Sequence, residues 1–427
     1  MDITTTRYQL LSNFFSLGTV QAISSLVQLI VIPHVISRIG VDGYGVVAVA
    51  QVVMFYLAVI TDYSFNQTAT RDISVNRASQ EKVSTIFSRV FYSRIILCAI
   101  SFLVLLILIV IIPFFRSNLF LYLMAFTFVV GHAALINWFF LGIERMHIIA
   151  WVTFIARLIF ALLVFLFIRG AGDEYLFLFF LGLGNLVAAL VSLMIVFSKY
   201  SITLKWPGTD GIVSELKEGW QVTLSHLSNS TCHYANIFIL RIFTADLIVG
   251  YYAIAERIFF TIRQVFVVFS QAVYPRLCLA LQEGKSSAVS YLIKPYSRFL
   301  MLIILGAALL FIFSPYVLYF FMGNEYLNAV IYLRIFCFIA VIVCLNIPGT
   351  LLMFAAQQKT DYLKVYLFAT VLNITLNLFL ASYYQAYGTL MTIFITEAFI
   401  SIAVSYFAGR RQVKPGRIAD QQGSLEF

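Results

Sequence analysis

Twelve stretches of helix length, each nearly free of charge, follow one another along this chain, and that succession is what most limits the folds open to it. They lie at approximately 10–34, 44–64, 90–113, 118–142, 148–168 and 175–198 in the first half, and at 220–244, 249–273, 296–320, 328–352, 364–384 and 386–408 in the second. A helix needs about 20 apolar residues to cross a bilayer, so each window predicts one crossing. Only 11% of the 427 residues are charged, against roughly 25% in a soluble domain. The mean hydropathy is +0.94 and 62% of residues are hydrophobic, which excludes an ordinary soluble enzyme. The expected fold class is an all-α polytopic membrane protein with twelve transmembrane helices in two six-helix bundles. Its expected organisation is an N-terminal bundle over 1–198, a cytoplasmic linker over 199–219, a C-terminal bundle over 220–408 and a cytoplasmic tail over 409–427.

The net charge of +9 would suggest nucleic acid only if the basic residues formed one soluble patch. They are instead spread over short loops, where they report orientation. With the N-terminus in the cytoplasm, the alternating loops hold nineteen Lys and Arg on that side against Arg38, Arg116, Arg169 and Arg241 on the other. The positive-inside rule therefore puts both termini in the cytoplasm. The start of the chain lacks a basic n-region and a small-residue cleavage site, so no segment is expected to be removed.

A weak internal repeat links the halves. Gly45 and the run VVAVAQ (46–51) recur as Gly250 and YYAIAE (251–256), and Arg71 follows Gly45 at the same spacing that separates Arg276 from Gly250. An even number of crossings per copy gives both copies one orientation, related by a pseudo-two-fold axis along the membrane normal. The linker contains Pro207-Gly208 and a helix-like run from Asp210 to Glu218. No loop on the opposite side approaches it in length, which argues against a glycan polymerase or glycosyltransferase.

Several windows carry polar residues in register. The first places Gln21, Ser24, Ser25 and Gln28 on one helical face, and the seventh does the same with Thr223, His226, Ser230 and His233. Such stripes can pack helices through interhelical hydrogen bonds or line a hydrated cavity between the halves; their pairing at the start of each repeat favours the cavity. In the eighth window Arg257, Thr261, Gln264 and Gln271 form one stripe, with Glu256, Arg263 and Ser270 beside it. Glu256 and Arg263 stand two turns apart, so mutual neutralisation is the structural alternative.

Arg94, Arg157, Arg257, Arg263 and Arg334 all fall inside windows, and each would cost roughly 2.5–3.5 kcal/mol at mid-bilayer. They must be paired, near an interface or facing water; for Arg94 snorkelling or an ion pair suffices. The embedded acids are few: Asp62, Glu256 and Glu397. An electropositive interior favours an anionic headgroup over a cationic drug. Asp62 and Glu397 are the coupling-ion candidates, although Glu397 could equally be an acid paired with a neighbouring helix.

The chain carries no P-loop, GxSxG or DxD-like pair, so no catalysis is expected, nor any cofactor. His132, His226 and His233 lack metal-site spacing, and the five cysteines are scattered without a CxxC pair, so no metal is expected either. Asn66-Gln67-Thr68 and Asn229-Ser230-Thr231 match a glycosylation pattern but lie in or beside windows.

Four stretches resemble a known family. They are Arg38-Ile-Gly-Val-Asp-Gly-Tyr-Gly45, Thr68-Ala-Thr-Arg71, Trp138-Phe-Phe-Leu-Gly-Ile-Glu-Arg-Met146 and Val249-Gly-Tyr-Tyr-Ala-Ile-Ala-Glu-Arg257, with Pro275-Arg276 after the last. With the twelve windows, they resemble the O-antigen flippases (Wzx-type) of the polysaccharide transport group in the multidrug/oligosaccharidyl-lipid/polysaccharide exporter superfamily. Tyr63-Ser64-Phe65 departs from the pattern, which has a glycine there, and this puts the local flexibility in question.

The resemblance implies a V-shaped carrier in the bacterial inner membrane. It would flip undecaprenyl-pyrophosphate-linked O-antigen oligosaccharide from the cytoplasmic to the periplasmic leaflet by alternating access, for lipopolysaccharide biosynthesis. Membrane lipid, an O-antigen polymerase and a chain-length regulator would be its partners, and nucleic acid would not. The uncatalysed flip is blocked because each glycan hydroxyl costs several kcal/mol to strip of water. A wet cavity removes that cost while the lipid tail stays in the bilayer. On this reading Arg257 and Arg263, with Arg157, hold the pyrophosphate, while Gln21, Ser24, Gln28, His226, Ser230 and Gln264 contact the substrate. An inside-negative potential favours outward movement of an anion by roughly 2.3 kcal/mol per charge per 100 mV, so proton antiport is not required. A cation-coupled multidrug exporter of the same superfamily is the alternative, and a cargo-free scaffold a third.

Overall fold

The structure, a computed structural model, describes residues 3–283, 285–356 and 358–410. Side chains are described from Leu26 onward, except at 218, 221, 222, 225, 226, 229, 232, 233, 271, 275, 279, 282, 283, 285, 286 and 359. Among the described residues all regular structure is helical: α1 (Ile3–Asp62), α2 (Phe65–Asn76), α3 (Gln80–Ile111), α4 (Pro113–Ser117), α5 (Leu119–Ala134), α6 (Asn137–Gly142), α7 (Met146–Phe167), α8 (Glu174–Lys199), α9 (Gly208–Phe243), α10 (Asp246–Glu283), α11 (Lys285–Met322), α12 (Leu327–Ala355) and α13 (Lys359–Arg410). Seven helical stretches among these residues are long and apolar enough to cross a membrane, and three of them run to 51, 69 and 51 residues. Large apolar side chains face outward along them, as at Ile107, Val110 and Ile111, which are 55%, 78% and 70% exposed. Such surface is stable in acyl chains and not in water.

Helical backbone occupies every one of the twelve windows, and the longest helices are broken between windows. A straight 60-residue helix would be about 90 Å long, three times the hydrocarbon thickness. α1 breaks at Gly40 (φ 78°, ψ 170°), a left-handed, extended conformation that only glycine adopts without strain. α13 breaks at Gln385 (φ 53°, ψ −129°), and Gly388 then lies against the Leu380 backbone, so the two halves of α13 return along each other. The fourth window is interrupted at Leu135–Ile136, giving α5 and α6. Sequence periodicity did not anticipate that break or the separate helix α2. The run from Asp210 to Glu218 is no isolated helix; it is the first part of α9.

Two compact units divide the chain. The first takes residues up to Arg241 with Ala245–Gly250, and the second takes Ile242–Thr244 with Tyr251 onward. α9 thus belongs to the first compact unit, whereas the repeat assigns 220–244 to the second half. Within the first unit small residues set the helix crossings, as expected where backbones approach in lipid. Gly131 on α5 lies against Gly182 and Asn185 on α8, and Gly184 on α8 against Ala156 on α7. Phe65, Phe87, Trp138, Phe139 and Phe140 close a core with Ile73 and Val90. In the second unit Phe259 of α10 stacks on Phe336 of α12 at 4.9 Å, and Phe269 on Phe299 of α11 at 4.0 Å.

Candidate functional site

In the second unit α10 carries a buried Glu256 and a partly buried Arg263, the latter paired with an acid on α13. The carboxyl of Glu397 on α13 is 3.6 Å from the Arg263 guanidinium. Its second oxygen accepts a 2.8 Å hydrogen bond from Asn346 Nδ2 on α12. The side chain of Glu397 is 5% exposed and that of Arg263 22%, so the acid is the more deeply buried member. Arg263 also lies 5.8 and 5.9 Å from the ring centroids of Phe259 and Phe260, which hold its planar head.

Glu256 is buried as well, but Tyr252 Oη rather than Arg263 donates to it, at 2.8 Å. Mutual neutralisation of Glu256 and Arg263 is the alternative reading of this stripe; the acid in ion-pair contact with Arg263 is Glu397, which sequence spacing could not find because it lies on another helix. Arg257 and Gln264 are half-buried on α10. Arg334, the remaining embedded arginine of this unit, donates from Nε to Ser314 Oγ at 3.2 Å and lies 4.9 Å from the Phe311 ring.

The first unit holds a separate ionic cluster. Asp62, at the end of α1, pairs with the buried guanidinium of Arg94 on α3 and accepts two 2.9 Å hydrogen bonds from Asn66 Nδ2. Arg94 also donates to the carbonyls of Ala133 and Leu135, which the α5–α6 break leaves outside the helical ladder. One guanidinium thus serves two helix breaks, and Asp62 is its counterion. His132 lies in the field of this pair and of Arg157. Arg157 is accordingly in a different unit from Arg257 and Arg263, and the structure does not gather the three expected phosphate ligands into one unit.

Of the remaining predicted contacts, Gln28 on α1 and Ser230 on α9 are half-buried. Gln21 and Ser24 lie on α1 and His226 on α9, with their side chains outside those described. Thr223, from the same stripe as Ser230, donates to the Gly219 carbonyl at 2.9 Å and meets Ser64 Oγ at 3.2 Å. At this position the stripe packs helices. Tyr63 and Ser64 themselves have positive φ (39° and 58°), so the turn for which the resemblance implies glycine is made without one.

The sequence stretches that carry the resemblance meet in pairs. Thr70 Oγ1 donates to the Trp138 carbonyl at 3.1 Å, and Gly142 lies against Thr70 and Ile73, joining α2 to α6. Gly45 lies against Asp246 and Gly250. At Gly45, Thr70 and Gly142 these motifs build the scaffold, while the last of them also carries Glu256 and Arg257.

Comparison with solved structures shows which fold the chain shares. The chain superposes on a multidrug resistance MATE family transporter of the MOP superfamily in its inward-facing conformation with a TM-score of 0.74, covering 95% of this chain and 96% of that one at 15% identity. It matches the lipid II flippase MurJ in an inward closed conformation with a TM-score of 0.69, covering 92% and 87% at 14% identity. The chain therefore shares the fold of these two solved proteins. A model of the polysaccharide biosynthesis protein family matches residues 10–280, and the chain belongs to that family. A protein of Escherichia coli (strain K12) named as an O-antigen transporter is 25% identical over 94% of this chain and 97% of its own. The chain is a multi-pass membrane protein whose relatives are transporters.

Proposed function

We propose that this protein flips undecaprenyl-pyrophosphate-linked O-antigen oligosaccharide from the cytoplasmic to the periplasmic leaflet of a bacterial inner membrane, by alternating access, for lipopolysaccharide biosynthesis. The observation that carries the reading is its similarity to a named O-antigen transporter along nearly the full length of both chains. The fold it shares with a lipid II flippase supports a lipid-linked cargo. Twelve crossings in two six-helix bundles with both termini cytoplasmic belong to the same proposal, supported by the helices in all twelve windows and by the basic loops.

The proposed anion site is Arg263 with Arg257, and Arg263 supports it by being a half-open guanidinium backed by aromatic rings. Its planar fork suits bidentate capture of a phosphoryl group, which a lysine could not match. Ser230, Gln264 and Gln28, with Gln21, Ser24 and His226, are proposed to meet the sugars. Arg157 is proposed as a second anion contact reached at another stage of the cycle. O-antigen polymerase and the chain-length regulator are proposed to receive the product. The multidrug-exporter alternative has only the shared fold in its favour, at 15% identity.

Deleting the gene and assaying lipid-linked intermediates in each leaflet tests this function. Accumulation of the oligosaccharide lipid in the cytoplasmic leaflet is expected. Undisturbed surface glycan with a changed drug-susceptibility profile would point to the exporter instead.

A further inference from the structure

We infer that the segment Lys199–Trp206 is a docking strap for anionic phospholipid: Trp206 enters the headgroup layer beside α3, and Lys199 and Lys205 meet lipid phosphates. The inference goes beyond the cargo reading and does not depend on it.

The strap is held in one position by α3. Ile202 is buried in the core formed with Phe87 and Trp138. Gln80 Nε2 donates to the Tyr200 carbonyl. The backbone N–H of Thr203 donates to Ser84 Oγ at 3.4 Å, and that of Lys205 to Ser88 Oγ at 3.1 Å. Trp206 then meets Tyr92 edge to face, with 4.9 Å between ring centroids. Gln80, Ser84, Ser88 and Tyr92 succeed one another by one helical turn, so the strap runs alongside α3 in the direction of the helix. Past Trp206, Pro207-Gly208 turns the chain into α9, and Gly211 lies back against the Arg89 side chain. Trp206 is therefore the apex of the loop.

The length of α3 sets the depth of that apex. Its 32 residues span about 48 Å, whereas a crossing takes about 20 residues, so about a dozen lie outside the hydrocarbon. Those are the first ones, which carry Glu81, Lys82 and Arg89; from Ile95, itself 50% exposed, the outward side chains are large and apolar. Tyr92, and Trp206 with it, stands at the boundary, where an indole keeps its ring in apolar surroundings and its N–H in water. Trp206 is 60% exposed and Leu204 38%. The strap carries two lysines, both exposed, and no acid. A rigidly mounted apolar tip beside cations is complementary to an anionic bilayer surface. A soluble protein would have to reach the same tip through the headgroup layer.

The test uses the full-length protein in nanodiscs of phosphatidylcholine and phosphatidylglycerol with brominated tails. Subtracting W206F from wild type isolates the emission of Trp206 from that of the other tryptophans. That emission should be quenched, and more strongly by tails brominated near the headgroup than by tails brominated near their ends. Phosphatidylglycerol binding to the detergent-purified protein should weaken about fivefold for each lysine removed, thus about 25-fold in K199Q/K205Q, since a basic residue near an anionic surface contributes about 1 kcal/mol. Raising the salt concentration should weaken binding to wild type as well. Trp206 emission untouched by brominated lipid would put the strap in water or under a soluble partner and overturn the inference. Equal phosphatidylglycerol binding by wild type and K199Q/K205Q would overturn it too. Should K199Q/K205Q not fold, the salt series decides in its place, and binding unmoved by salt overturns the inference.

Discussion

Gly45 and Gly250 meet backbone to backbone in the first compact unit. A methyl group on Gly45 would overlap the Asp246 carbonyl oxygen, and one on Gly250 would overlap the Val41 carbonyl oxygen. The contact is reciprocal, since Val41 and Asp246 each precede their glycine by four residues. Its register is the one in which the sequence repeat aligns Gly45 with Gly250, so the repeat is visible in the fold as a self-complementary contact.

Because the contact is reciprocal, G45A and G250A should be comparably harmful. Inserting a methyl group between two backbones costs about 1–3 kcal/mol where neither strand can give way. Thermal unfolding of the detergent-solubilised variants should show similar drops in Tm, with the double variant less than additive, since both methyl groups press on one seam.

The buried pair between Asp62 and Arg94 predicts a different pattern. R94A strands the Asp62 carboxylate and two freed carbonyls, and breaking such a pair typically costs about 3–5 kcal/mol. D62N retains a neutral partner of the same size for Arg94 and should cost less. A double-mutant cycle of D62A and R94A, read by chemical or thermal unfolding, should give a coupling energy of at least about 1 kcal/mol.

How much of this was legible in the sequence depended on whether the signal was local. The twelve apolar windows were readable because membrane immersion imposes length and composition on each helix by itself. Arg94 as an ion-paired residue was readable for the same reason, since an embedded charge demands a partner. The identity of partners was not: Glu397 lies 134 positions from Arg263 and its contact depends on how α10 and α13 pack. The Leu135–Ile136 break was hidden because no proline or glycine marks it, and its freed carbonyls are satisfied by an arginine on another helix. The short motifs were legible as a family resemblance, and at Gly45 and Thr70 they form helix-packing contacts.

At Ser64 the left-handed backbone and the hydroxyl make opposing demands. Its φ of 58° favours glycine by about 1–2 kcal/mol, while Oγ bonds with Gly219 and Thr223 favour serine. S64A loses the hydroxyl and keeps the strain, so it should be less stable than S64G, and S64G should lie close to wild type. Melting curves of the three proteins give the order.

Asp246 stands ahead of the apolar stretch 249–273 and pairs with Arg241. Burial pushes its carboxyl above the ordinary 3.8, with Asp42 adding to the rise and Arg241 opposing it. A folded value above the unfolded one means the folded state holds the proton more firmly. The contribution of this group to stability is therefore greatest below pH 3.8 and falls as pH rises through the raised folded value. In D246N that component of the pH dependence should vanish, which Tm measured against pH for the two proteins will show.

The most direct measurement of the central claim is flipping of undecaprenyl-pyrophosphate-linked oligosaccharide in proteoliposomes, comparing wild type with the R257E/R263E double variant at matched protein level and orientation. Wild type should move the labelled lipid between leaflets, and the charge-reversed protein, compared at equal folded amount, should move none. Equal flipping by both would contradict an arginine-held phosphoryl group as the basis of transport.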